Sequence, residues 1–337
     1  VSVKKIGLIV GRESTWPQAF IDEVNGRDDG VVAEFVKLGG TMMASESGYD
    51  VLIDRISHEI PYYRAFLRNA VLTGTTVINN PFNWSAADDK FFAAGLASRL
   101  RIAHPRTVAL PSHSYIDGVV TESLRNLEYP IPWQQHVEAV GGFPVILKPH
   151  SGGGLKHVYK LSSMEELWKA YNETGTECMI LQEFIAWEKY VRCVVVGRQH
   201  VLITRFDVSA PWPDRYFPIE EGYLSDELRE QITDDCLKIC EALGYDMNSV
   251  EFAIKDGVPY AIDFTNPAPD FDLYSLKQEY FDWVVKHMAD FAIELAKSGS
   301  RAQQEAMYWY PSVKRAAKKK PARKRIPKSI AKAVAEE

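Results

Sequence analysis

The stretch Pro144–Lys156 (PVILKPHSGGGLK) concentrates chemistry: strand-type residues run into Lys148-Pro149, then Ser151 and the glycines Gly152, Gly153 and Gly154. Alternation puts Lys148 on the same strand face as Ile146. A lysine rooted in a strand is a fixed cation, and glycines, lacking a Cβ, let backbone N–H groups approach an anion closely. The combination suits a polyphosphate; a glycine-rich hairpin turn with a surface lysine is the plainer alternative. Glu251 and Asp263 are acids embedded in apolar strands, with Asn266 close behind. Two carboxylates and an amide oxygen are hard ligands that suit Mg2+, although each acid alone also reads as a paired strand charge. Arg192 and Arg205 lie in apolar strands too, where a guanidinium is unfavourable unless it meets an anion. A phosphate, an acyl group or a neighbouring acid would each satisfy them.

The elements that carry these residues can be read in order. Val3–Val10, Val31–Val36, Tyr49–Ile53 and Gly74–Ile78 have strand character, with helical segments at Ala19–Val24, Tyr62–Ala70 and Ala86–Leu100. That alternation predicts a parallel, Rossmann-like sheet. Asp50–Arg55 and Gly74–Asn80 are its strand ends, where ligands of open α/β sheets usually sit. Asp88-Asp89-Lys90 opens a helix; Lys90 by itself reads as a solvated helix residue. After Thr107–Pro111 come helical Glu122–Leu127 and Trp133–Val140, then the Lys148 strand, Val158–Leu161, a helix at Met164–Tyr171 with Ser162 or Ser163 as N-cap, and a strand at Cys178–Phe184. Tyr190–Val196 and His200–Phe206 form a hairpin through Gly197-Arg198. Ala210–Pro218, with three prolines, predicts an irregular loop over the site, from which Arg215 points inward. Asp226–Leu243 is an amphipathic helix, and Phe281–Leu295 the last one.

Val250–Ile254 and Tyr260–Phe264 are joined through Asp256-Gly257. A strict two-residue turn would pair Lys255 with Val258 and send Glu251 and Asp263 to opposite faces. A three- or five-residue loop pairs the two acids directly. Pro259 has no N–H for a ladder, so the wider loop is the expectation.

At 337 residues, 46% apolar and 12% aromatic, the chain suits two or three packed α/β units. No apolar run approaches the roughly 20 residues that span a membrane. The four cysteines (Cys178, Cys193, Cys236, Cys240) show no C-x-x-C spacing, and Cys236 with Cys240 reads as one packed helix face. The start of the chain reads as a strand and not as a signal segment, so a reduced, cytoplasmic protein is expected. Ten of the 39 Lys and Arg fall in Lys314–Lys332; the rest of the chain up to Ala335 holds 29 basic against 43 acidic residues. An acidic body argues against a nucleic-acid enzyme, and it singles out the interior cations. Residues 301–337 read as a basic, disordered tail, whose charge would also suit nucleic acid or a targeting receptor.

No G-x-x-x-x-G-K-[ST] occurs, and Gly11 stands alone after the first strand, so neither common phosphate loop is present. The strand–Lys-Pro–Ser-Gly-Gly-Gly pattern resembles the phosphate segment of the ATP-grasp superfamily. The order Val-Ile-Asn, Asp-Lys and Pro-x-Thr before it resembles the glutathione-synthetase-like and ribosomal-protein-modifying ligases of that superfamily. The resemblance runs from about Asp50 to Asp272. It implies an N-terminal Rossmann-like pre-ATP-grasp domain (1–105) and two α+β subdomains (106–186 and 187–300) that clasp ATP.

By the same resemblance, Lys90, Lys148 and Ser151 to Gly154 hold the phosphates. Gln182, Glu183, Phe184 and Ile185 form the adenine hinge, and Glu188 takes the ribose. Glu251, Asp263 and Asn266 would bind Mg2+, as two ions that Mn2+ can replace. The metal motif departs from the family form, because its second acid is Asp and the asparagine comes one residue late; Thr265 is the alternative. Lys148 and Arg205 are the catalytic cations. Arg192, Arg215, Asp270 and Asp272 are substrate candidates. The implied reaction joins a carboxylate to an amine through an acyl phosphate, releasing ADP, in an enzyme that is often a dimer or tetramer. A non-catalytic ATP-binding regulator of the same fold is the alternative.

Overall fold

The computed structural model describes residues 3–152 and 157–318. The alternating first segment folds as β1 (Lys4–Ile9), α1 (Trp16–Gly26), β2 (Val31–Phe35), β3 (Val51–Asp54), α2 (Pro61–Thr73) and β4 (Thr76–Ile78). Its four strands are parallel, in the order β2-β1-β3-β4. Both outer strands are closed by side-chain amides. Asn25 accepts from Ala33 N (2.8 Å) and donates to Ala33 O (3.1 Å) on β2, and Gln303 does the same with Val77 on β4 (2.8 Å each). Each amide stands in for a neighbouring strand, which blunts an edge open to pairing.

α3 (Pro81–Ala87) and α4 (Lys90–Arg99) follow; α4 opens at Asp88-Asp89-Lys90 as expected, but Ala86 and Ala87, expected in the same helix, end α3 instead. Asp89 caps α4 by accepting from Phe91 N and Phe92 N. The second sheet contains β5 (Thr107–Leu110), β6 (Val145–Pro149), β7 (Tyr159–Leu161) and β8 (Met179–Glu183), antiparallel in the order β5-β8-β6-β7. α5 (Trp133–Ala139) and α6 (Met164–Asn172, capped by Ser163) cover one face. Glu122–Leu127 is no α-helix; only Thr121–Leu124 winds, as one 3-10 turn.

The third sheet contains β9 (Lys189–Val196), β10 (His200–Phe206), β11 (Tyr216–Phe217), β12 (Met247–Lys255) and β13 (Val258–Asp263), in the order β11-β10-β9-β12-β13. α7 (Asp226–Leu243) packs on one face. Ser225 caps it, acids fill its first turn, and Gly244 ends it at φ 67. Cys236 and Cys240 lie on its buried stripe beside Cys193. α8 (Leu273–Ser298) covers the other face and also packs on α1 and β1, so one core joins the first and third sheets. No described helix is long and apolar enough to cross a membrane.

Three further expectations are corrected. The β12–β13 connection is the tight turn: Lys255 pairs with Val258, with Asp256 and Gly257 at φ 51 and 73, a left-handed pair suited to a two-residue hairpin. Glu251 nevertheless pairs with Asp263, because a β-bulge between Glu251 and Phe252 adds one residue and resets the register. The proline-rich segment is not wholly irregular, since Tyr216-Phe217 pairs with Phe206 and Arg205 as an edge strand. Residues 302–318 form α9 (Ala302–Glu305) and α10 (Tyr310–Lys318) and not a structureless tail; α9 packs against α2. The rest of the expected tail, 319–337, lies outside the described residues.

Candidate active site

Lys148 projects from the face of β6 turned away from the α5–α6 core, as alternation predicts, and only 7% of it is exposed. Its Nζ lies 3.5 Å from the Ile262 carbonyl on β13, so it bridges the second and third sheets. Burial pulls its pKa down; Asp263 and Glu251 push back up, and Lys90 adds to the depression. The two lysines and two carboxylates therefore share one electrostatic field. Lys90, Lys148, Gln182, Ile262, Asp263 and Thr265 line a narrow cleft there, together with the α4 residues Ala93 and Ala94.

Lys90 is fixed at both ends. Its N–H donates to His150 O (2.7 Å), and its Nζ reaches Gly152 O. Gly152 N in turn donates to Asp88 (3.3 Å), so the start of the glycine loop is tied to the head of α4. Ser151 is in this described part of the loop; Gly153 and Gly154 lie outside the described residues.

On β8, Gln182 is buried and shares the Lys148 face through its pairing with Ile146. Its Nε2 donates to Thr107 Oγ1 (2.9 Å), which itself donates to Pro105 O. That relay fixes the amide and leaves Oε1 as the free acceptor. Arg106 clamps the Glu183 carboxylate (2.9 and 3.1 Å) and holds its pKa below the usual glutamate value. Phe184 carries Lys160 3.8 Å above its ring, and Ile185 is buried. Glu188 is exposed beside the β12–β13 turn, where its Oε1 accepts from Asp256 N (3.4 Å).

Glu251 lies on the α8 side of the third sheet with Tyr190, and it pairs with Asp263 across the β12–β13 ladder. Tyr190 donates to Glu251 (2.6 Å) and Arg192 lies 3.3 Å from it. Burial raises the Glu251 pKa, Arg192 opposes that, and the nearby Asp263 raises it further. Past Asp263 the ladder is continued by side chains: Asn248 donates to Phe264 O (2.9 Å) and accepts from Asn266 N (3.0 Å). Those bonds accommodate the extra residue before Asn266. The Asn266 amide nitrogen donates to Ser249 Oγ (3.0 Å) and its oxygen accepts from Ala268 N (3.3 Å), which leaves one lone pair of that oxygen for a cation. Among the described residues no three His, Cys, Asp or Glu side chains cluster as a metal site.

Arg192 stacks on Phe206 and Tyr216 (5.1 and 5.8 Å) and donates to Ser249 (3.0 Å). Its buried Nε and the buried Tyr216 hydroxyl have no hydrogen-bond partner among the described residues. Arg205 is placed elsewhere. The ladder pairs it with Val191 and pairs Arg192 with Thr204, so the two arginines occupy opposite faces. Arg205 is exposed and 3.6 Å from Glu220. Arg215 donates to Ala210 O (2.8 Å) within its own loop. Asp270 accepts from Trp212 (3.2 Å) and Ser275 (2.5 Å), which ties that loop down. Asp272 accepts from Ser14 N and Thr15 N (3.2 and 2.9 Å) at the head of α1.

Sequence reasoning did not single out Tyr190, although its i, i+2 spacing from Arg192 puts both on one strand face. Asn248 and Ser249 escaped because their partners are remote in sequence, Phe264 and Asn266 beyond the hairpin turn and Arg192 on β9.

No family model matches the chain. A D-alanine–D-alanine ligase of Bacillus anthracis is 26% identical over 174 residues, which cover 49% of this chain and 57% of that ligase. The chain's match thus spans little more than half the length of this curated relative. The solved structure of a B. anthracis D-alanine–D-alanine ligase complexed with ATP superposes with a TM-score of 0.62 at 20% identity, covering 90% of this chain and all of that one. A RimK domain protein from Sphaerobacter thermophilus, described as ATP-grasp, gives 0.61 at 19% identity over 86% of this chain and 99% of its own. The chain has the fold of the ATP-grasp superfamily, with a parallel N-terminal sheet and two antiparallel units either side of the lysine–carboxylate cleft.

Proposed function

We propose that the chain is an ATP-dependent ligase that joins a carboxylate to an amine through an acyl phosphate, releasing ADP and phosphate. The observation that carries this reading is the meeting of Lys148 and Lys90 with Asp263 across one cleft, with Glu251 paired to Asp263 on the neighbouring strand. In the first step a carboxylate oxygen attacks the γ-phosphorus and the bond to ADP breaks. In the second the amine nitrogen attacks the acyl carbon, the C–N bond forms, phosphate leaves and the nitrogen gives up a proton. Both anionic reactants must be brought together against their repulsion, so the work is positioning and electrostatics.

Lys148 and Lys90 hold phosphate oxygens from one side of the cleft, with Ser151 and Gly152 at the loop. Gln182 offers Oε1 to a donor on the base, beside the backbone of Glu183, Phe184 and Ile185; Glu188, exposed beside the β12–β13 turn, takes the ribose. Glu251 and Asp263, paired across the ladder with an Asn266 oxygen at the same end, are hard ligands that would suit Mg2+, with Arg192 and Tyr190 holding the Glu251 carboxylate in place. The ion, when bound, supplies Lewis-acid neutralisation of phosphate charge. Arg192 is the better placed of the two strand arginines to receive an oxyanion, since its Nε and the Tyr216 hydroxyl are unpartnered donors. Asp270 and Arg215, on the loops above, are the remaining substrate candidates. Asp272, bonded to Ser14 and Thr15, acts through them.

The test is Mg2+-dependent ADP release across a panel of amino acids, D-alanine among them, and small carboxylates. A signal that needs both an acid and a nucleophile, and that Asp263→Asn abolishes, is the expected result. ATP binding with silence across all pairs would replace the ligase with a non-catalytic nucleotide-binding protein. Absence of ATP binding would overturn the site itself.

A further inference from the structure

In open α/β sheets the crevice beyond the carboxyl ends of the strands is the usual ligand site. Here the chain fills that crevice with its own segment Pro267–Asp272, which directly follows the metal hairpin. Asn79, one residue past β4, donates to Pro267 O (2.9 Å) and Met247 O (2.6 Å), and accepts from Asp246 N and Met247 N (2.7 and 2.9 Å). All four hydrogen-bonding sites of its amide are used, and it is 1% exposed. Arg55, one residue past β3, donates to Pro269 O and lies 3.1 Å from Met247 Sδ. It also pairs with Glu13 and stacks between Phe271 and Trp16 (4.5 and 5.1 Å). Ser14 and Thr15, past β1, hold Asp272.

Asn79 and Arg55 thus grip the same two places: Met247, where β12 begins, and the segment just after β13. These are the two open ends of the hairpin that carries Glu251 and Asp263. A buried ion pair such as Arg55–Glu13 is weak evidence for stability, so its presence calls for another reason. We infer that Asn79 and Arg55 are positioning residues that set the separation of the hairpin ends, so that the N-terminal sheet braces the carboxylate pair. This rests on reading Glu251 and Asp263 as the metal site.

The test is an EPR titration of the full chain with Mn2+, beside thermal unfolding. Asn79→Asp keeps the shape and the two accepted bonds but removes the donors to Met247 O and Pro267 O. Arg55→Lys keeps a charge for Glu13 but lacks the fork that reaches Pro269 O and Met247 together. Leu67→Ala, in the core under α2 and away from the segment, is the stability control. The expected result is a Mn2+ affinity lowered about 10-fold in both positioning variants, and unchanged in Leu67→Ala at a similar loss of thermal stability. If Asn79→Asp fails to fold, Arg55→Lys decides. Wild-type affinity in the folded positioning variants, or an equal loss in Leu67→Ala, overturns the inference. Asp263→Asn separates the two readings: if it binds Mn2+ like wild type, the metal assignment fails and takes the brace with it; if it alone loses the ion, only the brace fails.

Discussion

Arg192 and Glu251 are 3.3 Å apart on neighbouring strands, both largely removed from water. Truncating one partner strands the other's charge in the interior. Arg192→Met is therefore expected to lower unfolding free energy by about 3 kcal/mol, and Arg192→Met with Glu251→Gln to recover most of it, read as a double-mutant cycle in denaturant. Independent losses that simply add would mean that the pair does not interact. At this scale the charged residues of the cleft were legible, because Lys148, Arg192, Glu251 and Asp263 each interrupt an apolar strand and so demand a partner. Arg55 and Asn79 were not. Both sat in segments recognised as strand ends, but their partners lie some 170 to 215 residues further along the chain, and nothing local marks the pairing.

The strands and helices themselves were read from period and caps; what the sequence hid was how two strands slip. The tight Asp256-Gly257 turn and the Glu251–Asp263 pairing looked incompatible, and a single bulged residue makes them compatible. Bulges have no strong residue signature, so the right juxtaposition was expected for the wrong reason. The seam between α8 and β10 is also invisible locally. There His287 stacks on Trp283 (4.0 Å), meets His200 (4.6 Å), and gives its Nδ1 hydrogen to Trp283 O (2.7 Å). Burial lowers its pKa below the ordinary 6.5; its own hydrogen bond opposes this, while His200 and Lys286 add to the lowering and Asp290 opposes it weakly. Below pH 6.5 the unfolded chain thus binds more protons at this site than the folded one, so stability falls as pH drops from 6.5 through the folded value. His287→Gln is expected to flatten that slope in urea unfolding measured between pH 5 and pH 7. An unchanged slope would assign the acid sensitivity elsewhere.

Across the whole molecule, the parallel first sheet followed from strand–helix alternation, whereas the two α+β units after it came from the resemblance and their strand orders were not legible. Nor were helices α9 and α10, since α9 docks largely through polar contacts: Gln303 on the β4 edge and Gln304 Nε2 on Leu72 O (2.7 Å) leave no apolar stripe to recognise. The same architecture makes a quantitative demand on ligand binding. Lys148 belongs to the second sheet and Asp263 to the third, and Lys148 Nζ lies 3.5 Å from the carbonyl of Ile262, the residue before Asp263. A nucleotide clasped between them must draw its affinity from both. MgATP at 100 times its Kd is expected to stabilise the folded chain by about 2.7 kcal/mol. Lys148→Met and Asp263→Asn should each remove most of that stabilisation at the same ligand concentration, and the double variant little more than either alone. Such non-additivity is the mark of one ligand shared by two groups. If instead one variant abolished the thermal shift and the other left it intact, the nucleotide would be held by a single sheet, and the cleft would not be a clasp.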